Sequence, residues 1–539
     1  MNIADYLISL LSEVGVKRIW GITGDSLNEF TKSIKHNELI EWIGVRHEEA
    51  AAFAAGGESQ VSGQLSVCAG SCGGGNMHLM NGLYDCYRAR TPVLAIAADI
   101  KSTEIGTDYF QETDPCQYFK ECSVYCKRIY SLETAPIIIE RAIREAQLNR
   151  SVSVLVISGD IASQSFEHPV PIVWQSTKMP ILTPNNDDIH RASQYINQGQ
   201  NITILCGMGC ETSRDLVLEL ADKLKAPIVY ALRGKESLGY NSPYDVGMTG
   251  YLGLNAGHKA LREADTVIIL GSRFPYRQYY PTNAKVIQID RDSLALGTHT
   301  IISCGIQSEV GEALLHLLPL LKDRFERHFL NYSLELRRND IKELNRQAQI
   351  EPLSTAIHPQ MLFSMISKKA TDDAIFTCDV GTPTLWSARF IAMNGQRKLI
   401  GSFSHGSMAN ALSQAMGAQT INHKRQVIAL CGDGGLSMLL GELLTLRTYN
   451  LPVKIIVVNN YALDFVYLEM LGMHSPTDTT ELQNPSFADI AKCCHIHSLV
   501  AMNPHELSSK IDELLNYDGP ALLDVRVSPH ELAYPSSNK

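Results

Sequence analysis

QVIALCGDGG (residues 426–435), followed by VKIIVVNN (453–460), decides the fold. The first stretch is an almost unbroken apolar run, 426–431, that ends in Gly432-Asp433-Gly434-Gly435. A helical pattern occupies residues 436–450, and a second apolar run, 453–458, ends in Asn459-Asn460. Two β-branched runs joined by a helix make a βαβ unit, whose crossover should be right-handed. Asp433 and Asn460 then stand at the carboxyl ends of two parallel strands, where α/β sheets bind ligands. The residue types suit a diphosphate. Glycines let the backbone approach it closely, and the helix that follows presents free N–H groups to phosphate. Asp433 and the Asn460 amide oxygen are hard donors for Mg²⁺, which also takes phosphate oxygens. Gly-Asp-Gly alone is as often a capped turn; Asn-Asn at the end of the next strand is what shifts the reading to a cation site.

The same pattern extends outward. Short apolar runs at 65–69, 93–97, 152–157, 202–206, 227–231, 267–270 and 286–289 alternate with helical segments. Such runs fit strands buried on both faces, so the fold class is α/β with doubly wound parallel sheets. At roughly 150 residues per domain, 539 residues suggest three or four domains. Polar, proline-bearing stretches at 175–188 and 343–359 divide the chain into three, at 1–178, 190–335 and 355–530. In the middle third, four strands and the turn Cys206-Gly207-Met208-Gly209-Cys210 predict a Rossmann-like, dinucleotide-type sheet.

Composition excludes several classes. Hydrophobic residues make up 45% and charged ones 19%, enough apolar surface to exclude general disorder. With 47 basic and 57 acidic residues the net charge is −10, which leaves no basic footprint for nucleic acid. The 13 cysteines include no C-x2-C pair and read as reduced thiols of a cytosolic protein. The first fifteen residues form an amphipathic helix rather than a signal peptide, and no apolar run reaches the ~18 residues of a membrane span.

Longer motifs carry a resemblance. They are GVKRIWGITGDSLN (15–28), RHEEAAAFAAG (46–56), CAGSCGGGN (68–76), FQET (110–113), ALRGKE (231–236), DVGMTG (245–250), CDVGTPT (378–384), GSFSHGSMANA (401–411) and CGDGG (431–435). Over residues 1–530 the chain resembles the thiamine-diphosphate (ThDP)- and flavin-dependent pyruvate oxidase and acetolactate synthase family. Within it, the resemblance runs nearest to the quinone-linked pyruvate dehydrogenases, also called pyruvate oxidases. It implies a pyrimidine-binding domain, a central FAD domain and a diphosphate-binding domain, in that order. It also implies that Glu48, rather than Glu49, bonds N1′ of the aminopyrimidine. Gly406 and Ser407 should contact the pyrimidine ring, with Met408 under the bent cofactor. Phe110 and Gln111 should lie near the reacting carbon, with Phe465 a further catalytic candidate and His78 a secondary one. Gly434, Gly435, Tyr461, Ala462, Leu463, Asp464, Phe465 and Val466 complete the diphosphate site. Mg²⁺ should be held by Asp433, Asn460 and the Ala462 carbonyl. FAD should lie on Tyr251, Leu252, Gly253 and Leu254, on Phe274, Pro275, Tyr276, Arg277 and Gln278, and on Asp292, with Arg233 and Arg277 as diphosphate partners.

The implied reaction is oxidative decarboxylation of pyruvate to acetate and CO2, with electrons passing through FAD to a quinone. The alternatives are a phosphate- and oxygen-dependent oxidase giving acetyl phosphate, and an acetolactate-synthase-type carboligase. The implied assembly is a homodimer at least, with a tetramer expected. Three departures stand out. Cys72-Gly73-Gly74-Gly75 replaces a Ser-Gly-Pro-Gly-type turn, Asp464 stands where a glycine is usual, and Ser308-Glu309 replaces Gly-Asp. Quinone-linked relatives also carry an amphipathic, membrane-binding C-terminal segment. Nothing between Pro535-Ser536-Ser537 and Lys539 has that pattern. The expected location is cytoplasmic, with peripheral association at the inner face of the cell membrane as the alternative.

Overall fold

The computed structural model describes residues 1–168, 170–175, 179–349 and 355–531. Parts of both linker stretches, 176–178 and 350–354, lie outside the described residues, as does the C-terminal segment from 532.

Three sheets of six parallel strands form the chain. The first comprises β1 (Arg18–Gly21), β2 (Glu41–Gly44), β3 (Ser66–Gly70), β4 (Val93–Asp99), β5 (Tyr125–Arg128) and β6 (Val152–Ser158), in the order β2-β1-β3-β4-β6-β5. The second comprises β7 (Ile202–Cys206), β8 (Ile228–Tyr230), β9 (Asp245–Met248), β10 (Thr266–Leu270), β11 (Lys285–Asp290) and β12 (Cys304–Gln307), in the order β12-β11-β10-β7-β8-β9. The third comprises β13 (Ile375–Cys378), β14 (Lys398–Gly401), β15 (Val427–Gly432), β16 (Lys454–Asn459), β17 (His497–Ala501) and β18 (Ala521–Arg526), in the order β14-β13-β15-β16-β18-β17. The first and third sheets therefore share one topology. The second has the 3-2-1-4-5-6 order of a dinucleotide-binding sheet, with six strands where the sequence reading found four.

Strands β4, β6, β7 and β10 are buried along their whole length, as unbroken apolar runs require. At the switch point of the second sheet, the loops after β7 and β10 meet backbone to backbone. A Cβ on Gly209 would lie 2.7 Å from the Gly271 Cα.

The first and third domains are joined by two buried helices, Glu48–Ser62 and Asn410–Ile421. Their crossing is built on small residues. A Cβ at Gly417 would collide with the Ala54 carbonyl, and one at Gly57 with the Gln414 carbonyl. The helix expected at 436–450 is two helices, Asp433–Met438 and Glu442–Thr448. The interruption turns Glu442 toward the first domain, where its Oε1 accepts from the Arg46 and His47 backbone N–H groups at 2.9 and 3.0 Å. Among the described residues, no helix is long and apolar enough to cross a membrane.

Candidate active site

The first cluster sits at the carboxyl end of β3 and the start of helix Glu48–Ser62. Glu48 is the first residue of that helix, with His47 as its cap. Its carboxylate is buried and pairs with His78 Nδ1 at 2.9 Å. The His78 ring stacks on His47 with centroids 4.4 Å apart. Glu49 points elsewhere and accepts from Asn81 Nδ2 at 2.8 Å, so the two neighbouring acids are structurally distinct. The Cys72–Gly75 turn leads into helix Gly74–Ala89, and a Cβ on Gly75 would lie 2.9 Å from Glu48 Oε1. That contact explains why glycine survives there although the expected proline does not. Gln111, in the left-handed region at φ 65°, lies over this turn and accepts from the Cys72 thiol at 3.5 Å. Phe110 beside it is 77% exposed.

The second cluster lies at the carboxyl ends of β15 and β16. Asp433 is 3% exposed. Its Oδ1 accepts from Gly434 N at 2.9 Å, and its Oδ2 from Tyr461 N and Asn484 Nδ2, both at 2.8 Å. These donors are all neutral, so burial raises the carboxyl pKa to about 6. Asn460 Oδ1 turns onto the Ala462 N–H at 3.2 Å. A Cβ on Gly434 would lie 2.8 Å from the Leu463 side chain and 3.2 Å from that of Met408, so a larger residue here would push into both. Gly435 is held closer still, to the Asp379 carboxylate. A buried carboxylate, an amide oxygen and a glycine cradle at a helix start fit Mg²⁺ and a diphosphate. Gly406, at φ 83°, opens the loop to Met408. Ser407 in that loop accepts from Asn81 Nδ2 at 2.8 Å, which ties it to helix Gly74–Ala89.

Asp464 is buried as the first residue of helix Asp464–Gly472 and pairs with His530 Nδ1 at 3.0 Å. The His530 ring in turn stacks on Tyr467 at 3.7 Å. On the same helix, Phe465 lies beside Gly381 and Val466 is exposed. Tyr461 is exposed, at φ 58°, with its hydroxyl bonded by Arg526.

The residues expected to hold FAD fall into two groups. The Tyr251 and Tyr276 rings meet edge to face at 4.7 Å, Phe274 and Tyr276 at 5.3 Å, and Gln278 Nε2 donates to the Tyr251 hydroxyl at 3.0 Å. The Leu252 and Gly253 carbonyls accept from Arg389 of the third domain, both at 3.3 Å. Leu254 precedes helix Asn255–Arg262, Pro275 is exposed, and Arg277 donates to the Thr298 carbonyl at 3.2 Å. Asp292 stands apart, ion-paired with Arg90 at 2.6 Å and with Arg273. Arg233 donates to the Ala89 carbonyl at 2.8 Å. A dinucleotide-type strand order beside a gathered aromatic surface is compatible with a flavin nucleotide.

Three residues of the two clusters lie outside the expected site residues. Asn484 reaches Asp433 and Asn459 from a distant loop. Asp379 accepts from Ala411 N and Gly432 N, both at 3.0 Å, and burial pushes its pKa up to about 7. Asn81 bridges Glu49 and Ser407. Among the described residues, no hydrogen bond or ion pair joins Glu48 to Asp433 or Asn460.

Comparison with known proteins agrees with this geometry. Residues 1–118 match the thiamine pyrophosphate enzyme N-terminal TPP binding domain, 189–317 the central domain and 379–525 the C-terminal TPP binding domain. The putative thiamine pyrophosphate-containing protein YdaP of Bacillus subtilis (strain 168) is 34% identical over 526 residues, 97% of this chain and 91% of that protein. An uncharacterized 42.6 kDa protein of Pseudomonas amyloderamosa is 47% identical over 334 residues, 62% of this chain and 84% of that protein. The acetolactate synthase isozyme 1 large subunit of Escherichia coli (strain K12) is 29% identical over 550 aligned residues, 99% of this chain and 95% of that protein. The chain belongs to the thiamine pyrophosphate enzyme family.

Proposed function

We propose that the chain decarboxylates pyruvate with ThDP and Mg²⁺. Residues 1–178 serve the pyrimidine half, 190–335 the central domain and 355–530 the diphosphate half. The observation that carries this reading is Asp433, a buried carboxylate bonded only by neutral N–H groups, beside Asn460. Asp433, Asn460 and the Ala462 carbonyl would hold the cation, with Gly434 and Gly435 against the diphosphate. Met408 and the Gly406–Ser407 backbone would support the thiazolium and pyrimidine rings. Bound ThDP supplies a nucleophilic carbon and an electron sink for a 2-oxo acid. Glu48 exchanges a proton with the aminopyrimidine N1′, and His78 holds the Glu48 carboxylate in place. Gln111 bonds a substrate oxygen, and Phe110 and Phe465 lie near the reacting carbon. Membership of a family whose two thiamine-diphosphate domains meet across subunits supports a working site completed by a second copy, in a homodimer or tetramer.

Two fates of the two-carbon unit are separable. Transfer to a second pyruvate, an acetolactate-synthase-type carboligation, is supported by the acetolactate synthase relative that aligns along nearly the whole chain. Oxidation to acetate, with electrons passing through FAD to a quinone, is the second reading; the aromatic surface of Tyr251, Phe274 and Tyr276 on the dinucleotide-type central sheet supports a flavin there. The test is product analysis with ThDP, Mg²⁺ and pyruvate. Acetolactate without flavin turnover supports carboligation, and acetate with quinone reduction supports oxidation. No pyruvate consumption at all would overturn both.

A further inference from the structure

Cys116 and Cys126 lie outside the cofactor residues, yet they border the segment that carries Gln111. Cys126 is on β5, the edge strand of the first sheet, in register with Val154 of β6. Cys116 is the second residue of the short helix Pro115–Tyr118. Two residues along β5 from Cys126, Arg128 pairs with Asp99 at 2.7 Å and with Asp114 at 3.8 Å. Asp114 in turn lies two residues before Cys116. Alternate residues of a strand share a face, so Cys126 and Arg128 both point at this segment. The Asp114–Arg128 pair holds the start of helix Pro115–Tyr118 against the face of β5 that carries Cys126. The Cys126 thiol reaches the Pro115 carbonyl at 4.0 Å, next to Cys116.

Both residues are partly exposed, whereas Cys68, Cys86 and Cys122 nearby are buried. Burial pushes those three thiols up, Cys122 to about 12. Cys116 goes the other way. Hydrogen bonding from Cys126, and then the Arg128 guanidinium, hold it down at about 7. A thiol lowered toward neutrality, beside a strand whose Cys126 sulfur comes within 4.0 Å of the carbonyl next to it, is an arrangement that resolves thiol oxidation into a disulfide.

We propose that Cys116 and Cys126 form a reversible disulfide when a hydroperoxide oxidises them. The Cys116 sulfur attacks the peroxide. An S–O bond forms, the O–O bond breaks, and the departing oxygen leaves as water, or as an alcohol from an organic peroxide. The Cys126 sulfur then attacks the sulfenic sulfur. An S–S bond forms, the S–O bond breaks, and a second molecule, water, leaves. The two sulfurs together lose two electrons, the peroxide gains them, and both thiol protons end in the released molecules. The link ties the start of helix Pro115–Tyr118 to the edge strand, five residues beyond Gln111. Any effect on turnover rests on the function proposed above; formation of the link does not.

The test uses holoenzyme treated with hydrogen peroxide at neutral pH, alkylated with N-ethylmaleimide, digested and mapped by mass. The expected result is one peptide pair joined through Cys116 and Cys126, lighter than the free peptides by two hydrogens, with both thiols recovered after dithiothreitol. In Cys126→Ser, Cys116 should stop at the sulfenic acid and take a dimedone label. Cys493→Ser, which removes an exposed thiol elsewhere, should leave the link intact. Recovery of Cys116 and Cys126 as alkylated thiols after peroxide, or a link from either to a different cysteine, would overturn the proposal.

Discussion

Glu48 and its neighbour Glu49 differ in sequence only by position, and the fold gives them different partners. Glu48 is buried against His78, and Glu49 bonds Asn81. Glu48→Gln keeps the shape and removes the exchangeable proton. It should lower pyruvate turnover about 100-fold or more while ThDP still binds, as steady-state kinetics and cofactor titration would show. Asn484 bonds Asp433 and Asn459 and so bears on the proposed cation site. Partners of this kind cost about 10- to 100-fold in affinity when removed, so Asn484→Ala should weaken Mg²⁺-dependent ThDP binding by that factor, with recovery at high Mg²⁺. Asp85 is a buried acid between the first and third domains, bonded by Ser402 and Gln414 at 2.8 and 2.9 Å. Burial raises its pKa from 3.8 to about 7. The folded state therefore keeps a proton that the unfolded chain releases. The stabilisation is complete below pH 3.8 and is lost as pH rises through about 7. The melting temperature of Asp85→Asn should thus gain on the wild type between those pH values; a constant difference would contradict the assignment.

Elements explain what was legible in the chain and what was not. Ile202–Cys206 and Val93–Asp99 are central strands covered on both faces, so they read as apolar runs. Glu41–Gly44 and Tyr125–Arg128 are edge strands with charged residues, and no run betrays them. Asp433 and Asn460 stand out because the βαβ unit places them at a characteristic spacing. Asn484 does not, because it arrives from 51 residues beyond Asp433 through a side-chain bond that no local pattern encodes. The break between helices Asp433–Met438 and Glu442–Thr448 was hidden for the same reason, since Glu442 is turned by a contact with the first domain. The helix pair Glu48–Ser62 and Asn410–Ile421 makes the sharpest prediction at this scale. Gly417→Ala places a methyl group against the Ala54 carbonyl. It should destabilise the protein by about 1–3 kcal/mol, measured by denaturant unfolding, and should do so without altering the cofactor residues themselves.

At the scale of the molecule, two sheets of identical topology flank a dinucleotide-type sheet, and the halves of the proposed site lie on the first and the third. The proposed site is shared between two copies, so activity should track assembly. Sedimentation of the active species should give at least twice the mass of the chain, and dilution into monomer should abolish turnover. The flavin candidates sit on the central domain, where Arg389 of the third domain holds the Leu252–Gly253 turn. A spectrum that bleaches with pyruvate would favour oxidation over carboligation. Both fates depend on the same first event. The most direct test of it is release of labelled CO2 from carboxyl-labelled pyruvate by the oligomer supplied with ThDP and Mg²⁺. Release that requires both cofactors and is lost in Glu48→Gln is the predicted result; no release from the fully loaded, folded oligomer would contradict the proposed function.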